Sequence, residues 1–176
     1  MEFMISKIYS ELVAEFQKEG VIIREVSSVE LKRNSPNTEF GFISYNCNGD
    51  MVHQVCILID CSIEKELKLN ILLHELGHFN FWRSLGCDQL KSLKENEENW
   101  LILDEYKAFK FQLNRVYEIA LTYDYSILKN TMITLIDRHK NDPDLRYREA
   151  INSIFQEEIW QQALDLTMLN HIYSED

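Results

Sequence analysis

One pentapeptide, His74-Glu75-Leu76-Gly77-His78, carries side chains whose types and spacing suit metal chemistry. On a helix, residues four apart share a face about one turn apart, so both imidazoles can reach a single ion. Zn2+ takes nitrogen ligands at about 2.0–2.1 Å, and a catalytic site keeps a fourth position open for water. Glu75 is rotated around the helix from its neighbouring ligand, so it can reach that water without occupying the ion. It would take the water's proton as the oxygen attacks a carbonyl. The flanks, Leu72-Leu73 before and Phe79 after, make this helix strongly apolar and predict its burial. Two imidazoles and a carboxylate clustered there are costly to desolvate without a partner. The plainer alternative is a histidine pair packed on a buried face with its ring nitrogens satisfied; the apolar flanks count against it.

A two-histidine site needs a third protein ligand, normally His, Glu or Asp. The next turn supplies none, since Arg83, Ser84 and Leu85 occupy it, and His139 and His171 are distant in the chain. The long apolar segment after Glu95 offers better candidates. Glu105 lies on the stripe Ile102, Glu105, Phe109, Leu113, Val116. An inward carboxylate wants a cation, which a metal supplies. Asp104, beside a more mixed face with Lys107 and Phe111, ranks second. Glu98 ranks third, because an acid in a first helical turn is already explained by the helix dipole. Tyr106, Tyr123, Tyr125, His53 and His139 are candidate donors to a developing oxyanion, each also explicable as structural.

The elements that must position these residues follow from periodicity. Ile5, Ile8, Leu12, Val13 and Phe16 predict a helix that stops near Gly20. Val21–Val26, Phe40–Tyr45 and Met51–Ile59 predict strands, with a polar loop over Lys32–Asn37. Asn48-Gly49 marks a hairpin between the last two strands. If Met51–Ile59 were the sheet edge, it could align an extended peptide by main-chain pairing. From Ser62, expected as a helix cap, the chain turns helical. The first helix runs through the histidines to Gly86, and a second from Glu95 to about Thr122. A third covers Ser126–Lys140, and a last runs from Asp142-Pro143 to about Leu169. The fold class expected is α+β: a short antiparallel or mixed sheet packed on the histidine helix, then a helical C-terminal half. We expect one domain over residues 1–176, with a core at about 20–120 and a helical extension at about 121–176.

Composition bounds the function. The 176 residues carry 18 Lys+Arg against 29 Asp+Glu, a formal charge of −11, which argues against direct nucleic-acid binding. A basic or neutral partner is favoured instead. Hydrophobic residues at 45% are globular proportions, and with only 5 Gly and 2 Pro the chain favours helices. The N-terminus lacks the features of a signal peptide, and no apolar run approaches the ~18 residues of a membrane span. A cytoplasmic address is therefore expected. Cys47, Cys56, Cys61 and Cys87 form no Cys-x-x-Cys pair and are expected to be reduced, mostly buried thiols. Trp82, Trp100 and Trp160 fall at helical spacing and are expected in the core.

With these residues in view, the chain resembles the gluzincin-type zinc metallopeptidases, most closely the small ImmA/IrrE-like family of bacteria, phages and mobile elements. The shared features are the His74–His78 motif helix, a preceding short sheet, and an acidic residue, Glu105, at matching distance on the next long helix. The resemblance implies a zincin-like fold, Zn2+ bound by His74, His78 and Glu105, and Glu75 as general base. It implies hydrolysis of a peptide bond in a protein or peptide substrate. A transcriptional repressor, or another regulator of a phage, mobile element or stress response, fits that class. The alternative is a zincin-fold binding or regulatory module with weak or lost peptidase activity.

Overall fold

The computed structural model describes residues 2–36, 40–96 and 99–167. The fold is α+β, mostly helical, with eight helices and a three-stranded mixed sheet among the described residues. The chain divides into two compact units, Met1–Glu97 and Glu98–Asp176.

The first unit begins with α1 (Glu2–Lys18), which buries Ile5, Ile8, Leu12 and Phe16 along one stripe as their spacing predicts. Three strands follow: β1 (Ile22–Val26), β2 (Gly41–Asn48) and β3 (Met51–Asp60). β2 and β3 form the hairpin signalled by Asn48-Gly49, with Asn48 paired to Met51 and Gly49 at φ +59°. The strand order is β1-β3-β2, with β1 parallel and β2 antiparallel to β3. The expectation of Met51–Ile59 at the edge is therefore corrected. Its Cys56–Asp60 half pairs on both sides, with Ile22–Val26 and with the start of β2. The run Val55-Cys56-Ile57-Leu58-Ile59 reads as a strand covered on both faces, which leaves its place in the strand order open. Leu58 packs with Val26 and Leu31, and with half-buried Phe42 and Cys56, on the side of α2 (Ser28–Asn34). By alternation Val55, Ile57 and Ile59 face the other way, and α3 (Lys65–Leu85) packs on both β3 and β2.

Helix α2 replaces part of the loop expected over Lys32–Asn37. The Ser27 hydroxyl accepts from the Glu30 N–H and caps it, a local signal the polar composition masked. Ser62 is not the cap of α3, whose N-cap is Glu64. The Ser62 N–H and hydroxyl both donate to Asp60 Oδ1, at 2.8 and 2.7 Å, and this fixes the turn from β3 into α3. Gly86 is the C-cap of α3, as expected, at φ +77°. The chain then enters α4 (Cys87–Asn96), a helix absent from the sequence reading. Its opening N–H groups are satisfied by the hairpin tip: the Cys87 N–H donates to the Asp50 carbonyl and the Asp88 N–H to Asp50 Oδ1. A cap 38 residues away cannot be read locally.

The second unit packs α5 (Trp100–Thr122), α6 (Tyr125–Asn141), α7 (Leu145–Phe155) and α8 (Glu158–Thr167) against one another. α5 contributes buried Ala108, Phe109, Leu113, Val116 and Ala120 to its core. The last expected helix is in fact two, and its cap is Asp144 rather than Asp142, which instead ends α6. The break after Phe155 leaves Glu157 to accept from Lys110 Nζ at 2.8 Å and from the Tyr106 hydroxyl. Leu169 lies outside the described residues. Trp82 and Trp160 are buried, as expected, whereas Trp100, at the start of α5, is only half-buried.

Hydrogen bonds from Ser28 and Ser62 hold the Asp60 carboxyl below the usual carboxylate range. A carboxyl depressed on folding contributes stability that is complete above its unfolded pKa, about 3.9, and is lost as pH falls through the lower folded value. Asp60→Asn should therefore be less stable than wild type at neutral pH. Urea titrations as a function of pH should show the difference shrinking below about pH 4.

Candidate metal centre

The helix α3 places its functional residues by helical geometry alone. His74, His78 and Trp82 follow one another at intervals of four and so share a face. The two imidazoles meet edge to face, with ring centroids 4.9 Å apart at 89°. His78 also lies on the Trp82 indole, at 5.5 Å and 31°. The helix is held by Leu69, Leu72, Leu73 and Leu76, all fully buried. Its functional side chains are therefore fixed by packing and not by a mobile loop.

Glu75 is buried, at 8% exposure, and the start of β2 passes over it. A Cβ on Gly41 would lie 2.3 Å from Ile71 Cγ2 and 3.3 Å from Glu75 Oε1. The first contact is impossible without displacement, because the Ile71 methyl sits on a β-branched carbon that is stiff in a helix. Only glycine lets the strand approach this closely. Sequence reasoning missed Gly41, whose signal is a steric fit between segments thirty residues apart.

One ligand atom from each of His74, His78 and Glu105 lies within 4.8 Å of the other two, a grouping that could hold a metal ion. His74 is half-buried, His78 and Glu105 buried. An ion holding tetrahedral ligands at about 2.1 Å sets them roughly 3.4 Å apart. Two imidazoles and one carboxylate suit zinc and neighbouring transition metals better than calcium or magnesium, which prefer all-oxygen shells.

The structure sorts the remaining candidates. Asp104 is buried, at 5%, more deeply than its mixed flank suggested, but it is not part of the grouping. Glu98 and His171 lie outside the described residues. The Tyr106 hydroxyl donates to Glu157 in the second unit, and desolvation together with that bond pushes its pKa up. His139 packs on Phe155 at 5.0 Å in the same unit. His53, Tyr123 and Tyr125 are exposed.

The cysteine expectation is corrected. Cys47 and Cys87 form a disulfide, with their Cα atoms 6.0 Å apart. The hairpin tip brings them together across 40 residues, where spacing carries no signal. Cys56 is a half-buried free thiol whose pKa burial raises, but free Cys61 is exposed and not inertly buried.

No protein-family model, curated protein or solved structure matches this chain. Among the described residues no helix is long and apolar enough to cross a membrane.

Titration with Zn2+ or Co2+ checks the ligand set. His74→Ala, His78→Ala and Glu105→Ala should each weaken binding by more than the ~10–100-fold typical of losing an outer-shell partner. Asp104→Asn should bind as wild type.

Proposed function

We propose that this chain is a zinc-dependent metallopeptidase of the gluzincin type, most like the ImmA/IrrE-like family, acting on a peptide bond in a protein substrate. The observation that supports it is the proximity of His74, His78 and Glu105, with Glu75 on the same helix as two of them. His74 and His78 would hold the ion through ring nitrogens and Glu105 through a carboxylate oxygen. When bound, the ion supplies Lewis acidity at the scissile carbonyl and lowers the pKa of a water. Glu75 takes the proton of the attacking water onto a carboxylate oxygen and returns it to the leaving amide nitrogen. Burial of Glu75 beneath Gly41 limits its contact with bulk water.

The sheet supports a peptide substrate. With β3 central, the open edge next to α3 belongs to β2, which can pair with an extended peptide through its outward backbone groups. The charge of −11 favours a basic or neutral protein partner, such as a transcriptional repressor, over nucleic acid. A regulator of a phage, a mobile element or a stress response, met in the cytoplasm, fits this reading.

Glu75→Gln is the discriminating variant. The zinc-loaded wild type should generate new termini in a proteome-derived peptide library, read by mass spectrometry. Glu75→Gln should retain stoichiometric zinc and lose ~10²–10⁴-fold in cleavage rate. Equal cleavage by both proteins contradicts the role of Glu75. A fully metallated wild type that cleaves nothing favours a binding module.

A further inference from the structure

The strand β2 touches α3 at two levels and the start of α4 at a third. Gly41 lies against Ile71 and Glu75 at one end, and Tyr45 packs on Trp82 in the middle, with ring centroids 4.8 Å apart at 49°. At the far end Cys47 is bonded to Cys87, the first residue of α4. Lys94 of α4 donates to the Tyr45 hydroxyl at 2.9 Å, and its ammonium lies over both the Tyr45 and the Trp82 rings. Trp82 in turn carries the His78 ring. A continuous stack thus runs from the disulfide region through Tyr45 and Trp82 to one of the two imidazoles.

Such a stack has a specific use. The ring torsion of a histidine is a broad, shallow well, so the plane in which His78 offers its nitrogen is set by what the ring packs on. Trp82 is 6% exposed and is the face on which His78 rests. Tyr45 sits at a register irregularity between Ser44 and Asn46, where the β2–β3 ladder is locally disrupted. Close to that point, the disulfide is a covalent tie between the strand and the start of α4, one residue past the C-cap of α3. Cys47 is exposed, which leaves the bond open to thiolate attack, while Cys87 is fully buried.

We propose that Trp82 and Tyr45 are positioning residues for the metal centre and that the Cys47–Cys87 disulfide latches them, making metal affinity dependent on its redox state. This rests on the metal-binding reading of His74 and His78. Reduction breaks the Sγ–Sγ bond. The two sulfurs take up two electrons and two protons from a dithiol, which leaves as its cyclic disulfide. The tip of the hairpin then keeps its Asp50 hydrogen bonds to α4, and Tyr45 its bond from Lys94, but the covalent tie that fixes Tyr45 against Trp82 is gone.

The test measures Zn2+ affinity by competition with a chromophoric chelator. Oxidised protein is compared with protein reduced by a dithiol and desalted anaerobically, and then with the same sample reoxidised. Reduction should weaken binding ~10-fold or more, within the range for outer-shell supports of a metal ligand, and reoxidation should restore it. The double variant Cys47→Ser/Cys87→Ser should match the reduced protein and ignore the reductant, which also removes the new thiols as zinc ligands. With the disulfide intact, Trp82→Leu should bind ~10-fold more weakly and Trp82→Phe close to wild type, at equal far-UV circular dichroism. Should the double variant not fold, the reduced and reoxidised wild type decide. Affinities equal within twofold in both redox states, or wild-type binding by Trp82→Leu, overturn the proposal. If binding is redox-insensitive but needs His78, only the latch falls. If the oxidised protein binds no zinc, or binds it equally after His78→Ala, the metal centre falls and the latch with it.

Discussion

The structure turns on the burial of polar side chains within apolar surroundings. His78, Glu75 and Glu105 are each less than a tenth exposed, on helices that also bury Leu72 and Leu76 in the first unit and Phe109 in the second. Groups of this kind are kept in a fold only when hydrogen bonds, opposite charge or a metal compensates them. Two imidazoles and a carboxylate whose ligand atoms lie within 4.8 Å of one another match a single cation. The rest of the first unit reads as support for α3. The sheet packs on it, Gly41 gives β2 close access to it, and Asp60 and Gly86 set where the chain enters and leaves it.

Much of this was legible in the sequence because the decisive pattern is local. The i, i+4 relation of His74 and His78 survives in any helix, and the flanking leucines predict its burial without tertiary knowledge. Glu105 was readable for the same reason, as an acid placed within an apolar stripe. The helices α1, α5 and α6 and the Asn48-Gly49 hairpin also announced themselves through periodicity or turn chemistry. Asp104 shows the limit of that logic, since its mixed flank did not prevent burial to 5%.

What escaped the sequence depends on contacts made at a distance. Helix α4 has a polar composition and takes its N-terminal partner from Asp50. The Cys47–Cys87 bond and the Tyr45–Trp82 stack exist only once the hairpin lies along α3. The place of β3 at the centre of the sheet was hidden because one apolar strand looks the same whether β1 covers it or not. The division into α7 and α8 reflects Glu157, whose carboxyl is held low by Lys110 and Tyr106, residues of a different helix.

The proposed function requires one ion shared by His74, His78 and Glu105, with a position left open. X-ray absorption at the zinc edge of the stoichiometrically loaded protein tests it most directly. The expected spectrum has nitrogen and oxygen neighbours at about 2.0–2.1 Å, the outer-shell signature of two imidazoles, and no sulfur. A sulfur shell at about 2.3 Å, as Cys56 or Cys61 would give, or fewer than two imidazoles, would contradict it.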